Sequence, residues 1–150
     1  MDSVKIRDKE FDLFMPETKI LQAIDAIAVQ INADLADKDP LFVCVLNGSF
    51  MFAAELMKRV NIPCEISFVR MASYQGTKSS GVIKEVYGLE EDIKGRTIVI
   101  VEDIVDTGHT MSLIIDQLQA GEPREIRIAT LLFKPQALKK DIKLDYVALE

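Results

Sequence analysis

Short unbroken apolar runs alternate along this chain with stretches in which apolar residues recur every three or four positions. Leu41–Leu46 (LFVCVL), Ile98–Val101 (IVIV) and Glu125–Phe133 (EIRIATLLF) are rich in β-branched residues and too short for buried helices. They predict strands covered on both faces. Ile66–Met71 is a further strand candidate, Val82–Tyr87 a returning strand, and Leu144–Leu149 a last one. Ile20, Leu21, Ile24, Ile27, Ala28 and Ile31 mark one face of a helix over 17–36, which starts at Pro16-Glu17-Thr18 and is broken by Asp37–Pro40. Phe50–Val60 and Met111–Leu118 read as two more helices, the second stopped at Gly121-Glu122-Pro123. Residues 1–15 are ambiguous, with a cluster at Phe11, Leu13 and Phe14 that predicts at most a strand. Such alternation predicts an α/β fold, a parallel sheet with helices on both faces and ligands at the carboxyl ends of its strands.

The stretch Arg96–Thr110 (RTIVIVEDIVDTGHT) is the one around which the rest is arranged. Its strand is expected to end at two carboxylates, Glu102 and Asp103. Asp106-Thr107-Gly108-His109-Thr110 then leads into the third helix. A helix N-terminus after a small-residue loop offers backbone N–H groups and a positive dipole end to an anion, and Thr107 and Thr110 add hydroxyls. Glu102, Asp103 and Asp106 would repel a bare phosphate, so they call for hydroxyl donors or a metal. A ribose phosphate satisfies both halves. The plainer alternative is a solvated acidic loop with Asp106 as the helix N-cap.

Other candidates also follow predicted strands. Asn47-Gly48-Ser49 repeats the strand, small-residue loop, helix arrangement and is a second candidate anion site, or else a tight turn without a ligand. Ser73–Lys84 (SYQGTKSSGVIK) is polar and reads as a lid beside the site, or as a hairpin with a mobile tip. Lys134 follows the strand Glu125–Phe133. Coincidence of these features on one sheet edge points to a single active site.

Composition narrows the class. At 150 residues one domain is expected, and a formal charge of −6 argues against a nucleic-acid-binding surface. No apolar run is long enough to span a bilayer, and MDSVKIRDKEFD has no signal-peptide core. Cys44 and Cys64 lie in or beside apolar runs without histidine partners, which reads as buried free thiols in a reducing, cytoplasmic compartment.

VEDIVDTGHT resembles the phosphoribosyl-pyrophosphate (PRPP) motif of the type I phosphoribosyltransferases: apolar residues, two acids, then D-T-G-x-T. With L-N-G-S at Leu46–Ser49, S-Y at Ser73–Tyr74, L-L-F-K at Leu131–Lys134 and D-Y-V-A-L-E at 145–150, the order of motifs is similar to the hypoxanthine(-guanine) branch. The resemblance implies a Rossmann-like core with a small, incomplete hood from the chain ends. It implies transfer of ribose 5-phosphate from PRPP to a 6-oxopurine, with Mg²⁺, in a homodimer or homotetramer. By the same resemblance Asp106–Thr110, including Gly108, wrap the 5′-phosphate. Glu102 and Asp103 take the ribose hydroxyls and, through water, the metal. Asp106 is also the acid/base at the purine N7, and Lys134 donates to the purine O6. Asn47, Gly48, Ser73 and Tyr74 hold pyrophosphate, with a non-proline cis peptide at Leu46–Asn47. His109, the only histidine, is read as a loop residue in the phosphate site rather than a catalytic one. In the family more chain follows the D-Y-V-A-L-E segment and supplies a purine-stacking aromatic and an acidic metal ligand, so residues 1–150 are expected to lack that part of the domain. A PRPP-sensing regulator of the same fold and a xanthine-preferring transferase are the alternatives. Lys134 argues against adenine, and D-T-G-x-T opening a helix argues against a phospho-accepting receiver domain.

Overall fold

The computed structural model describes residues 3–75 and 82–150. In chain order the elements are β1 (Val4–Ile6), β2 (Lys9–Phe11), α1 (Glu17–Asp34), β3 (Leu41–Leu46), α2 (Phe50–Met57), β4 (Glu65–Gln75), β5 (Val82–Tyr87), β6 (Thr97–Val105), α3 (His109–Gln119), β7 (Glu125–Phe133) and β8 (Tyr146–Leu149). Six strands form one sheet in the order β5-β4-β3-β6-β7-β8, with β3, β4, β6, β7 and β8 parallel.

Period-two alternation divides the apolar runs between two cores. Phe42 and Cys44 of β3 join Val99, Val101, Ala129 and Tyr146 beneath α1 and α2. Leu41, Val43 and Val45 join Ile98, Ile100 and Ile128 beneath Met111, Ile114 and Leu118 of α3. Both faces of the central strands are therefore dry, which is why their sequences show no polar alternation. Cys44 lies fully inside this core, and burial pushes its thiol up to about 12. Cys64 is half-buried and also free.

Three expectations change in detail. The sheet is not wholly parallel: β5 returns antiparallel to β4, with Arg70 opposite Tyr87 and Gln75 opposite Val82. Much of the stretch read as a lid is therefore hairpin strand, because an edge ladder needs backbone partners more than apolar side chains. Residues 76–81, the rest of that stretch, lie outside the described residues. At the N-terminus a hairpin, β1 with β2, forms a separate two-stranded sheet, with Arg7 in its turn at φ 58°. Its residues are exposed, Val4, Ile6 and Phe11 among them.

The far end of the sheet, away from the strand C-termini, is closed by a polar network. Tyr146 is buried and its hydroxyl donates to Asp34 Oδ2 at 2.9 Å while accepting from Arg127 at 3.0 Å. Arg127 also donates to Glu125 at 2.6 Å, and Lys38 reaches the other Glu125 oxygen at 3.0 Å. The end of α1 is thereby fixed to β7 and β8. Burial, and then the bond to Asp34, push the Tyr146 phenol up to about 12.

Candidate active site

Parallel register brings the candidate residues to one edge. Leu46, the last residue of β3, lies opposite Arg70 of β4; Cys44 lies opposite Val101 of β6; Val105, the last residue of β6, lies opposite Phe133 of β7. The loops after β3, β6 and β7 and the outer part of β4 therefore open on the same side of the sheet.

The two acids are not at the end of the strand, as the sequence suggested, but within it, since β6 continues to Val105. The ladder to β7 holds there because Glu102 and Ile104 pair with Thr130 and Leu132. Each carboxylate is fixed by the next backbone amide: Asp103 N–H donates to Glu102 Oε1 at 3.0 Å, and Ile104 N–H donates to Asp103 Oδ1 at 2.9 Å. Glu102 is only 9% exposed. Desolvation, and next a side-chain hydrogen bond with Asp103, push its carboxyl up to about 8. Among the described residues no basic group offsets that.

Beyond β6 the chain makes the Asp106–Gly108 loop and enters α3. The plainer reading of Asp106 as N-cap does not hold: the cap position is Gly108, at φ 88° and without a side-chain cap bond. Asp106 is exposed. His109 N–H donates to Thr107 Oγ1 at 3.3 Å, and the His109 side chain is exposed on the first residue of α3. The remaining amides of the first turn have no intrahelical acceptor and are free for an anion. A cavity of about 200 Å³ lies here, lined by Glu102, Val105, Asp106, Thr107, Gly108 and Thr110 among others.

Across the edge, the peptide bond between Leu46 and Asn47 is cis, as the family resemblance implied. A side-chain carbon on Gly48 would come 2.5 Å from Asp103 Oδ2, so the loop after β3 and the acids of β6 are in direct contact. Ser49 is fully buried at the start of α2, and its hydroxyl has no hydrogen-bond partner among the described residues. Ser73 is exposed on β4, opposite Lys84. Tyr74 pairs with Ile83, while its side chain lies outside the described residues. Lys134 is exposed directly after β7, its N–H bonded to Val105 O at 3.0 Å, so it stands beside the end of β6.

Arg70 escaped the sequence reading. Its guanidinium donates to Asn47 Oδ1 at 2.8 Å, placing a cation beside the loop after β3. The available signal was register: β4 read as a strand parallel to β3 puts Arg70 level with Leu46.

The sheet thus brings the acids, the small-residue loop before α3 and the basic residues Arg70 and Lys134 to one edge. A family model described as the phosphoribosyl transferase domain matches residues 16–150, and the chain belongs to that family. It is 40% identical over 129 residues to the hypoxanthine-guanine phosphoribosyltransferase of Streptococcus pneumoniae (strain R6), covering 85% of this chain and 72% of that one. The Streptococcus pyogenes (serotype M3) enzyme of the same name is also 40% identical, over 132 residues, at 87% and 73%. Among solved structures, a hypoxanthine phosphoribosyltransferase from Staphylococcus aureus is similar with a TM-score of 0.79 and 31% identity, covering 92% of this chain and 76% of that one. The Trypanosoma cruzi hypoxanthine phosphoribosyltransferase has a TM-score of 0.80 at 27% identity, covering 93% and 81%.

Proposed function

We propose that this chain is a purine-salvage transferase. It joins hypoxanthine, or guanine, to the ribose 5-phosphate of PRPP and releases pyrophosphate. The observation that carries the reading is the contact of Gly48 with Asp103, which joins a pyrophosphate-type loop to the paired acids beside a phosphate-sized cavity. Its relatives' names point the same way.

In this reading the Asp106–Thr110 loop receives the 5′-phosphate on backbone amides and the hydroxyls of Thr107 and Thr110. Glu102 and Asp103 accept from the ribose 2′- and 3′-hydroxyls. Asn47, Gly48, Ser73 and Tyr74 receive the pyrophosphate, with Arg70 holding Asn47 by its amide oxygen. Lys134 donates to O6 of the purine. A 6-amino group is itself a donor and would leave that ammonium unpaired, so 6-oxopurines are selected. Asp106 takes the proton that leaves N7 as the glycosidic bond forms at N9.

The residues fit a magnesium ion. Glu102 and Asp103 are hard oxygen donors, and Glu102 is held nearly buried with no cation against it among the described residues. Among the described residues no three ligating groups come together. Bound there, magnesium supplies neutralisation of charge on the pyrophosphate. The cytoplasm is the compartment this reading implies, and a homodimer or homotetramer the assembly.

Calorimetric titration of the 150-residue chain with PRPP, with and without magnesium, tests the proposal. Magnesium-dependent binding that is lost in Asp106→Asn/Thr110→Ala, together with turnover of hypoxanthine, is the expected result. A folded chain that binds no PRPP would refute it.

A further inference from the structure

The segment leaving β7 turns back against the loop that opens α3. After Lys134 it makes one 3₁₀ turn, Pro135–Ala137, and Lys139 N–H then donates to Thr107 O at 2.9 Å. A side-chain carbon on Gly108 would stand 3.0 Å from Leu138 Cδ1, 3.0 Å from Ile142 Cδ1 and 3.3 Å from Lys140 Cβ. Leu138 and Ile142 are half-buried and join the core that contains Val105, Met111 and Ile114. The connector is then anchored to β7 by Asp145, whose N–H donates to Ile128 O at 3.1 Å and whose carboxylate accepts from Ile128 N–H at 2.8 Å.

From within, one side-chain bond holds the loop, His109 N–H to Thr107 Oγ1 at 3.3 Å. Gly108 has left-handed backbone geometry, and no side chain caps the helix. An anion site made of backbone amides works only if those amides are already aimed, since reorienting them on binding costs affinity. Here the aim is set from outside: Leu138 and Ile142 pack on Gly108, and Lys139 holds the Thr107 carbonyl. The cavity lining comes from Glu102 to Met111, so the connector touches the loop from behind rather than the ligand.

We propose that Leu138–Ile142 is a positioning element for the 5′-phosphate subsite, with Leu138 and Ile142 as its two contact residues. This rests on the functional reading above and adds a residue pair to it that no motif marks. Because only the turn Pro135–Ala137 separates it from Lys134, it also couples the seat of the phosphate to the residue read as the purine contact.

The test uses the full 150-residue chain and two probes. Ribose 5-phosphate carries the 5′-phosphate, whereas pyrophosphate engages the loop after β3 and the outer part of β4. Leu138→Ala/Ile142→Ala is expected to weaken ribose 5-phosphate at least tenfold while pyrophosphate stays within about twofold, and Leu138→Met/Ile142→Val is expected to restore the wild-type value. Ile31→Ala, which weakens the core on the other face of the sheet, should lower thermal stability without separating the two affinities. Equal weakening of both probes in the Leu138/Ile142 variant would overturn the inference, as would no change in either. If the wild-type chain binds neither probe, the transferase reading itself fails and the inference falls with it.

Discussion

Replacing Glu102 with glutamine isolates the group on which the site's electrostatics turn. In the folded chain its carboxyl titrates at about 8, against an ordinary value of 4.5. Between those values the native state keeps a proton that the unfolded chain has lost. The associated stability is therefore complete below about pH 4.5 and disappears as pH rises through 8. The gap corresponds to about 5 kcal/mol, comparable to the whole net stability of many domains. Glutamine is neutral throughout and retains an acceptor for the Asp103 N–H that now bonds Glu102 Oε1. Urea denaturation in divalent-free buffer from pH 5 to 9 should find the two proteins within about 1 kcal/mol of each other at pH 5. At pH 9 the glutamine variant should lead by about 3–5 kcal/mol. Parallel pH profiles for the two chains would refute the reasoning, because the ionised carboxylate would then cost the fold nothing. The same variant should bind PRPP and magnesium more weakly, an acid retained at the expense of stability.

Lys134→Met should lower kcat/KM for hypoxanthine roughly 10- to 100-fold, the value of a hydrogen bond from a charged donor, while the Kd for PRPP stays within about twofold. In Gly48→Ala the new methyl would stand 2.5 Å from Asp103 Oδ2 and push that carboxylate from its place on Ile104 N–H. The KM for pyrophosphate in the reverse reaction should rise roughly 10- to 100-fold with little change in Tm. Tyr146→Phe removes the hydroxyl shared by Asp34 and Arg127 and should cost about 1–3 kcal/mol in urea denaturation without altering kinetics.

The parts legible in the sequence were those where one local rule decided the outcome. β3 follows its predicted limits, Leu41–Leu46, because burial on both faces leaves an unbroken apolar run, and β7 follows Glu125–Phe133 around a buried centre at Ile128–Thr130. The helix expected over 17–36 is α1, two residues shorter. The elements read less well were those set by a partner. β4 runs on to Gln75 through polar residues because β5 pairs with it, and β1 forms because β2 does. At the site, the acids, the loop and Lys134 were visible as residue types at strand ends. The extension of β6 beyond Glu102, the link from Arg70 to Asn47 and the packing of Leu138 and Ile142 on Gly108 were not. Each of those depends on a contact between segments far apart in the chain, which no local spacing encodes.

The order of strands has a consequence for how the chain comes into being. β3 lies between β4 and β6, and Leu41 of β3 is paired with Ile98 of β6. At a synthesis rate of about 5–20 residues per second, the segment that will sit beside β3 emerges roughly 3 to 11 s after it. During that interval LFVCVL has β4 on one flank and nothing on the other, an open apolar edge of the kind that recruits other chains. Until β6 enters the middle of the sheet, that edge is the part of the nascent chain most exposed to association. That insertion also delivers Glu102 and Asp103, so the acids reach the sheet edge before β7, Lys134 and β8 have been made.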